Sequence, residues 1–561
     1  MDSTDSMSNK QAYIVLAILA IIFVLLSLLA SSQKGLTNDE IVHITAGYSY
    51  WKTFDFRLNT EHPPLIKLVA GAPLFLLDAN LPLNDEHWVS NKEWQYAAKF
   101  FFLYNDNASQ LLSWARVPMV LVALLGLLYV FWYAQAVYGN AAALLASTLY
   151  AFSPSLVGHA PLVTTDVGVM VFSFITVYYL RRFCEHRTRK YLVAAGIGFG
   201  LALASKYSAI YLIPTLFFLA VGYEWCVREN KQFYKLKSFW SLCVWMGVII
   251  SIGLAVVAFT YGIKELPKFA IGLGRVIYHG ETGHRAFLLG DYSENGWLHY
   301  FLVAFLVKEP IALTIFLLLA AYATYSLWSK DRAVDELFIL IPALAFIAAF
   351  SLGKIDIGIR HIFPAYPFLF VFVSKIVHVR WSRRVKQILI GALVVWYVVS
   401  SLLIFPHFLA YFNEVVGPQN GYKVLMDSNV DWGQDLKSLA NYLHKRNDPL
   451  VKMAYFGTDS REYYNVTWTE LKCGPQDGFI AISVNLLNGF TNDESKCSSW
   501  LKSFSPIDTI GYSIFVYNLS ADDVAASRNG YCKEKCREKC RVENLVYAQS
   551  SFNESCRCRC V

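Results

Sequence analysis

The sequence has few charged residues. Asp, Glu, Lys and Arg make up 16% of its 561 residues, against about 25% in an ordinary soluble domain. Lys and Arg occur in short clusters rather than in one basic stripe, so we expect no nucleic-acid partner. A Walker-type glycine loop, a CxxC zinc pair and a G-x-S-x-G elbow are all missing from the sequence. Any group transfer by this chain would therefore depend on an activated donor, not on ATP bound here.

Hydrophobic residues are abundant instead, at 55% of the chain, with a mean hydropathy of +0.38. This balance predicts a polytopic α-helical membrane protein with about eleven spans, each near the roughly 20 residues that a bilayer requires. The predicted spans are 12–30, 112–133, 141–157, 166–180, 190–205, 207–225, 239–262, 300–327, 336–352, 362–378 and 387–405. The apolar run 65–77 is short and contains Pro73, which favours an interfacial or re-entrant helix. The first run could also be a signal peptide, but its length favours a retained span.

The basic residues predict the orientation of the spans. With the N-terminus inside, the loops 181–190, 227–237, 329–332 and 379–386 are cytoplasmic and hold 15 Lys and Arg. The short outer loops 158–165 and 353–361 hold only two, as the positive-inside rule requires. All four N-x-S/T sequons then fall outside, at Asn107, Asn465, Asn518 and Asn553. We therefore expect a multi-pass membrane protein with a cytoplasmic N-terminus and an extracytoplasmic or ER-lumenal C-terminal domain.

The composition changes along the chain and predicts three parts. Residues 1–405 form a transmembrane module with a large outer loop at 31–111. Residues 406–520 form a small extracytoplasmic α/β domain, because short alternating apolar runs there flank an amphipathic helix at 434–445. Residues 521–561 are a cysteine-rich tail.

Eight of the 11 cysteines lie in the predicted outer part of the chain. An even number in an oxidising compartment favours disulfides, and the sequence leaves their connectivity open. Cys532, Cys536 and Cys540 would share one face of a helix, so a metal clip is the alternative.

Charged residues gather at the outer ends of the predicted spans, where acids are expensive and frequently functional. A transfer reaction at this face needs a carboxylate that takes a proton from an acceptor hydroxyl, and Asp39 fits that role. It also needs cations that hold a phosphate leaving group. The cations available for this are Lys67, Lys206, Lys308 and Arg360.

Each of these residues has a structural alternative that the sequence leaves open. The Asp39–Glu40 pair is also placed to cap the helix that follows, and Asp166 to cap the fourth span. Lys206 could snorkel from a span end, and the Arg360–His361 pair could anchor an interface. Their convergence on one membrane face is what favours a functional site.

Two motifs of the opening outer loop, TNDE-x-x-H at 37–43 and EHPPLIK at 61–67, resemble those of the GT-C glycosyltransferases. The chain is most similar to glycosyltransferase family 39, the protein O-mannosyltransferase and aminoarabinose transferase group. DSNVDWGQD at 427–435 and the stretch 358–368 extend the resemblance over about 36–520. The resemblance implies that Asp39 is the catalytic base with Glu40 beside it, and that Asp166 is a second acid. The supporting residues that it implies, or that lie beside its motifs, are Glu61, His62, Arg116, His159 and His361.

The resemblance predicts an integral membrane glycosyltransferase. It would move mannose or another hexose from a polyprenyl- or dolichyl-phosphate donor to an acceptor hydroxyl on the extracytoplasmic or lumenal side, with Glu40 and Asp166 orienting the reactants. The loop 263–299 is too short for the β-trefoil domain of protein O-mannosyltransferases, so the acceptor is left open among protein, glycan and lipid. No cofactor is certain, but a divalent cation bridging Asp39, Asp166 and the donor phosphate is one candidate.

Two other classes of function remain open from the sequence. A polytopic transporter or flippase of lipid-linked sugar would also carry charges at span ends, but it predicts charges near the bilayer midplane and inverted repeats, which we do not find. A non-catalytic subunit of a glycosylation complex is the third class, and the presence of Asp39 and Asp166 argues against it.

Overall fold

The structure is a computed structural model that describes residues 7–227, 236–327, 330–489, 495–542, 547–553 and 555–560. The chain falls into two compact units. The membrane unit comprises 1–33, 39–286 and 291–418, and the C-terminal unit comprises 34–38, 287–290 and 419–561. This division follows packing alone, so the boundaries at 405 and 520, which rest on composition, stay predictions.

Helices dominate the membrane unit because a long apolar segment satisfies its own backbone N–H and C=O groups only as a helix. The α-helices of its described residues are α1 (Asn9–Ser32), α2 (Glu40–Thr53), α3 (Leu65–Gly71), α4 (Glu86–Val89), α5 (Glu93–Phe102), α6 (Ala108–Tyr138), α7 (Asn140–Ala151), α8 (Pro154–His159), α9 (Thr165–His186), α10 (Arg189–Ser205), α11 (Leu212–Val227), α12 (Leu236–Tyr261), α13 (Pro267–Thr282), α14 (Tyr300–Lys308), α15 (Ile311–Ser326), α16 (Lys330–Ser351), α17 (Tyr366–Ser374) and α18 (Arg383–Leu403). Short 3-10 helices join them at Ala72–Leu77, Tyr207–Tyr211, Ile359–Ala365, Lys375–His378 and Phe408–Ala410.

Within the described residues, eight helices are long and apolar enough to cross a membrane, or nine if one bent pair is a single span. The eight are Asn9–Ser32, Ala108–Tyr138, Thr165–His186, Tyr207–Cys226, Trp240–Tyr261, Ala333–Ser351, Ile359–His378 and Arg383–Leu403. The predicted polytopic helical fold is therefore confirmed. Two of the eleven predicted spans, 141–157 and 190–205, correspond to the shorter helices α7 and α10, which have 12 and 17 residues.

The predicted span at 300–327 is bent rather than straight. It consists of α14 and α15, which meet at an angle of 114°. Pro310 lies at the break, and Glu309 before it has an extended backbone. A proline lacks the N–H that would continue the helix, and it disfavours a helical conformation in the residue before it.

The helix α2 packs directly against α3, which runs on into the 3-10 helix Ala72–Leu77 and is shorter than a span, as expected. A Cβ atom at Gly47 of α2 would lie 1.9 Å from the carbonyl oxygen of Lys67. A Cβ atom at Gly71 of α3 would lie 2.5 Å from the carbonyl carbon of Gly47. These two glycines let the backbones touch and so fix the helix that begins after Asp39.

The C-terminal unit is built on a mixed five-stranded sheet. The strands of the described chain are β1 (Ala286–Leu288), β2 (Asp291–Ser293), β3 (Val451–Ala454), β4 (Trp468–Glu470), β5 (Gly478–Ser483), β6 (Asp508–Ile510), β7 (Ile514–Leu519), β8 (Tyr547–Asn553) and β9 (Ser555–Cys560). The sheet order is β4-β3-β5-β7-β6. β3 is parallel to β4 and β5, whereas β7 is antiparallel to β5 and β6.

One face of this sheet is covered by the amphipathic helix predicted at 434–445, here α19 (Leu436–His444). Its residues Leu436, Leu439 and Leu443 are buried in one core with Val451 and Val516 of the sheet. The predicted small α/β fold is therefore confirmed for this unit. The remaining helices of the unit are α20 (Val484–Asn488), α21 (Ser495–Ser498), α22 (Ala521–Val542) and the 3-10 helices Pro418–Lys423, Asp427–Asn429 and Ser499–Ser503.

Disulfides hold the tail together. Cys532 and Cys536 of α22 are bonded to Cys556 and Cys558 of the β8–β9 hairpin. Cys540 is also disulfide-bonded, and Cys473 is bonded to Cys497 in the unit before the tail. The disulfide interpretation of these cysteines is therefore confirmed, because their sulfur atoms are used up and are not available to a metal.

Candidate active site

Asp39 lies just before the first turn of α2. It stands at the N-cap position, yet its side chain makes no capping hydrogen bond, so capping does not explain this carboxylate. The side chain is half-buried, and within the described ranges its carboxylate has no hydrogen bond or ion pair. His43, one turn along α2, interacts with it electrostatically. The carboxylate of Asp39 is therefore not explained by a capping role or by an ion pair among the described residues.

Glu40, the next residue, is engaged in a buried ion pair with Arg116 of α6. The guanidinium donates from Nε to Oε1 at 2.9 Å and from Nη2 to Oε2 at 2.5 Å. Glu40 Oε1 also accepts a hydrogen bond from the Val163 N–H at 3.1 Å, and Arg116 donates to the Ser31 carbonyl at 3.2 Å. The exposure of the two side chains is 0% and 2%. The pair fixes the start of α2 against the end of α1, α6 and the segment before α9.

Asp166, in the first turn of α9, holds two cations from distant parts of the chain. Lys206 Nζ lies 2.6 Å from Asp166 Oδ1, and Arg360 Nε lies 3.6 Å from Oδ2. Lys206 follows the last turn of α10, and Arg360 lies in the 3-10 helix Ile359–Ala365. All three side chains are at most 13% exposed. Thr164, at the N-cap of α9, makes no side-chain capping bond.

Histidines surround this ion cluster. The rings of His43 and His62 lie 5.4 Å apart. Burial lowers the pKa of His62 well below its usual value, with further lowering from the positive charges of Lys206 and Lys67. Burial also lowers the pKa of His43, whose Nδ1 lies 2.7 Å from the Val163 carbonyl oxygen. These two imidazoles are therefore neutral at pH 7.

His361 and His159 complete the surroundings of the ion cluster. His361, beside Arg360 in the chain, interacts electrostatically with Lys206, Asp166 and His62. His159 interacts with Arg360, Asp166 and Lys308, and burial lowers the pKa of its imidazole to about 4. The structure thus brings together most of the predicted residues: Asp39, His62, Asp166, Lys206, Arg360 and His361.

Lys67 is placed differently from Lys206 and Arg360. Its ammonium group is fully buried and donates to the carbonyl oxygens of Asn59 and His62 at 2.6 and 2.7 Å, and to the Tyr50 hydroxyl at 3.1 Å. Burial lowers its pKa to about 7. These contacts hold the segment 59–62 in place and leave the ammonium group enclosed. Glu61, in the middle of that segment, is exposed.

Lys308 lies at the break between α14 and α15. Its Nζ donates to the Leu409 carbonyl oxygen at 2.8 Å and lies 4.5 Å from the centre of the Phe412 ring. The side chain is buried. Lys308 is connected to the ion cluster through its electrostatic interaction with His159.

Comparison with known proteins shows what the chain and its fold are similar to. Residues 100–252 match the family model of dolichyl-phosphate-mannose-protein mannosyltransferase. Comparison with curated sequences finds no match. The crystal structure of ArnT from Cupriavidus metallidurans bound to undecaprenyl phosphate superposes with a TM-score of 0.50 at 13% identity, covering 91% of this chain and 98% of ArnT. The chain has a GT-C fold.

Two further solved structures match more loosely. The Pmt1-Pmt2 protein O-mannosyltransferase complex of S. cerevisiae, bound to the sugar donor, gives a TM-score of 0.32 at 18% identity, over 47% of this chain and 35% of that chain. The oligosaccharyltransferase of Archaeoglobus fulgidus gives 0.41 at 16% identity, over 71% and 55%. The predicted resemblance to GT-C glycosyltransferases is confirmed by the family match and by the fold.

A divalent cation that bridges Asp39, Asp166 and the donor phosphate stays a prediction. Both carboxylate oxygens of Asp166 already face a cation, at 2.6 and 3.6 Å. Over the part of the chain that the structure describes, no group of three or more His, Cys, Asp or Glu residues is arranged to hold a metal ion. We therefore derive no step of the reaction through a metal.

Sequence reasoning did not select His43 as a site residue, although it belongs to the TNDE-x-x-H motif. The spacing carries the signal: residues four apart share one face of a helix, so His43 lies on the same face of α2 as Asp39. His159 was noted only as part of a motif. Its link to both Arg360 and Lys308 depends on contacts between elements far apart in the sequence.

Proposed function

We propose that this protein is an integral membrane glycosyltransferase. It transfers a sugar, mannose or another hexose, from a polyprenyl- or dolichyl-phosphate to an acceptor hydroxyl. The observation that carries the proposal is the cluster of Asp166, Lys206 and Arg360 at the ends of membrane helices, beside the Asp39 carboxylate, which makes no hydrogen bond or ion pair with the residues that the structure describes. The match of residues 100–252 to a mannosyltransferase model and the fold shared with an undecaprenyl-phosphate-bound protein support the donor class.

The cluster suits a phosphate leaving group. Lys206 and Arg360 carry two positive charges against the single negative charge of Asp166, so a net positive charge remains beside neutral histidines. When the bond between the anomeric carbon and the phosphate oxygen breaks, the lipid phosphate gains one negative charge. Fixed cations that face this developing charge lower the barrier. Asp166 serves to hold the two cations in place.

Asp39 is the group that takes the proton. The acceptor hydroxyl loses its proton to the Asp39 carboxylate while its oxygen forms the new bond to the anomeric carbon. The lipid phosphate leaves with the electron pair of the broken bond. A positioned general base of this kind contributes about 100- to 10,000-fold to the rate. The polyprenyl or dolichyl phosphate is the second product.

Four other predicted residues act by positioning. The ion pair of Glu40 and Arg116 fixes the start of α2, and therefore the backbone beside Asp39. Lys67 fixes the segment that carries Glu61 and His62. Lys308 lies at the break between α14 and α15, where it donates to the Leu409 carbonyl and interacts electrostatically with His159, so it holds this break in place.

The reaction is placed at the extracytoplasmic or ER-lumenal membrane face, with the N-terminus in the cytoplasm. The charge distribution of the loops supports this orientation. The acceptor is a protein, a glycan or a lipid. The lipid-linked donor enters the site from the surrounding membrane lipids. No role for nucleic acid enters the proposal.

The test is sugar transfer by the purified protein in sealed proteoliposomes. Polyprenyl-phosphate mannose labelled in the sugar is supplied, and the label is followed into protein, glycan and lipid fractions. We expect transfer by the wild type. We expect Lys206→Met to raise the donor KM or lower kcat by about 100-fold, since it removes a charge-assisted contact to phosphate.

Lys264→Met is the matched control, because Lys264 is an exposed lysine outside the cluster; it should transfer at the wild-type rate. Absence of transfer with polyprenyl-phosphate mannose, glucose and aminoarabinose alike would overturn the proposal. Movement of labelled lipid across the bilayer without transfer would favour a flippase instead.

A further inference from the structure

The segment Lys34–Asn38 joins α1 to α2 and ends at the residue before Asp39. It belongs to the C-terminal unit, unlike the residues on either side of it. Its backbone pairs with the DWGQD segment of that unit. Gly35 N–H donates to the Gln434 carbonyl at 2.9 Å, and Asn38 N–H donates to the Trp432 carbonyl at 2.8 Å. The short link is therefore fixed at both of its ends.

Side chains of the same unit hold the link further. Lys34 Nζ lies 2.5 Å from Asp435 Oδ1, and the two side chains are 9% and 0% exposed. Leu36 N–H donates to Asp459 Oδ2 at 3.0 Å. Thr458 Oγ1 donates to the Asn38 carbonyl at 3.3 Å. An ion pair this well shielded from water is screened little and breaks only at high cost.

The DWGQD turn is held in place by hydrogen bonds within the C-terminal unit that do not involve the link. Gly433 has a φ of 86°, which favours glycine. Its N–H donates to Asp431 Oδ1 at 3.0 Å, and the Trp432 N–H donates to Gln434 Oε1 at 2.7 Å. Asp435 also accepts a hydrogen bond from Ser513 at 2.8 Å. Asp431 and Asp435 are buried, and the Asp435 side chain makes no capping hydrogen bond to α19.

We propose that the DWGQD turn, residues 431–435, positions the catalytic base: through Lys34 and the backbone of Gly35 and Asn38 it fixes the chain at the residue before Asp39. This inference rests on the proposed function, in which Asp39 accepts the proton. A carboxylate that directly follows a five-residue link needs such a clamp, because a misplacement of about 1 Å costs about 100-fold in rate. Lys34 and Asp435 are positioning residues in this scheme, with no contact to the sugar.

The test compares Lys34→Met and Lys34→Arg in the full-length protein, with two readouts. The first is hydrogen exchange of the peptide that covers 34–45. The second is the steady-state kinetics of sugar transfer. Lys34→Met should speed exchange of this peptide and lower kcat by about 100-fold with the donor KM unchanged. Lys34→Arg keeps the charge and should restore most of both.

The milder variant Thr458→Val removes one hydrogen bond to Asn38 and should shift both readouts in the same direction by less. Leu439→Ala is the control for general destabilisation, since the Leu439 side chain is buried in the hydrophobic core of the unit with Leu443, Val451 and Val516. It should lower the unfolding temperature but leave kcat of the folded protein unchanged.

Unchanged exchange at 34–45 in Lys34→Met would overturn the clamp, whatever the activity. Faster exchange with an unchanged kcat would overturn the positioning role. A loss of activity in Leu439→Ala as large as that in Lys34→Met would also overturn it. Failure of the proposed function is separate from these results: it appears as the absence of transfer by the wild type, while exchange still decides whether the clamp exists.

Discussion

Asp39 and Asp166 are both acids at the first turn of a helix, but their surroundings differ. Asp166 faces two cations, whereas the Asp39 carboxylate makes no hydrogen bond or ion pair with the described residues. The sequence predicted both residues from their place at span ends. It could not assign their surroundings, because Lys206 and Arg360 reach Asp166 only through the packing of three separate elements. The same limit applies to Lys67 on α3. Its partners Tyr50, Asn59 and His62 are near it in the sequence, but their spacing does not predict these hydrogen bonds.

Asp431 gives a prediction about pH. Burial raises the pKa of this carboxyl group to about 8, against about 4 in an unfolded chain. Between these two pKa values the folded protein keeps a proton on Asp431 that the unfolded chain loses. The contribution of Asp431 to the free energy of unfolding is therefore complete below about pH 4 and is lost as the pH rises towards 8. We compare the unfolding temperature of Asp431→Asn with that of the wild type at each pH. The difference, variant minus wild type, should be roughly 5 °C larger at pH 8 than at pH 5.

The measurement is thermal unfolding of full-length wild type and variant in the same detergent at both pH values. The difference between the two proteins isolates Asp431 from other titrating groups. Parallel pH dependence in the two proteins would contradict this interpretation.

At the level of elements, the ion pair of Glu40 and Arg116 joins α2 to α6. Loss of one partner leaves a buried charge without its counterpart, which costs about 3–5 kcal/mol of unfolding free energy. We expect Arg116→Met to lower the unfolding temperature strongly. The double variant Glu40→Gln with Arg116→Met should lose less than the sum of the two single variants, because it leaves no lone charge.

The check is a double-mutant cycle of unfolding free energies in detergent. Additive losses would show that the two side chains do not act as a pair. Sequence reasoning predicted Glu40 and Arg116 separately, but nothing in their spacing revealed that they meet.

Apolar periodicity predicted the helices well where the runs are long and uninterrupted. The amphipathic helix α19 is one example, since Leu436, Leu439 and Leu443 are all buried as their spacing requires. The helix pair α14 and α15 is the instructive exception. The sequence contains the cause of the bend, Pro310, but the angle of 114° depends on how the two halves pack.

For the whole molecule, the orientation in the membrane is testable through Cys226. This cysteine is free and exposed at the end of the span Tyr207–Cys226, which we predict to be cytoplasmic. A membrane-impermeant maleimide should label it only after the membrane is permeabilised. The matched variant Asp106→Cys, in the background of Cys226→Ser, replaces an exposed residue of the predicted outer loop and should label in intact cells. Labelling of Cys226 in intact cells would contradict the predicted orientation and indicate the opposite one.

The division into units also shows the limit of sequence reasoning for the whole chain. Composition predicted a C-terminal α/β domain, but it gave no sign that Lys34–Asn38 is part of the same unit. That assignment depends on hydrogen bonds between residues some 400 positions apart, such as those of Leu36 with Asp459 and of Asn38 with Trp432. Neither the polar residues of the link nor its length predicts them.

The most direct test of the central claim is the single-turnover rate of transfer from bound polyprenyl-phosphate mannose in wild type and Asp39→Asn. The amide has the shape of the carboxylate but accepts no proton. We predict a fall in the rate of about 1,000-fold, with the donor dissociation constant unchanged, whereas Asp106→Asn should match the wild type. An Asp39→Asn protein that transfers sugar at the wild-type rate would contradict the assignment of Asp39 as the base.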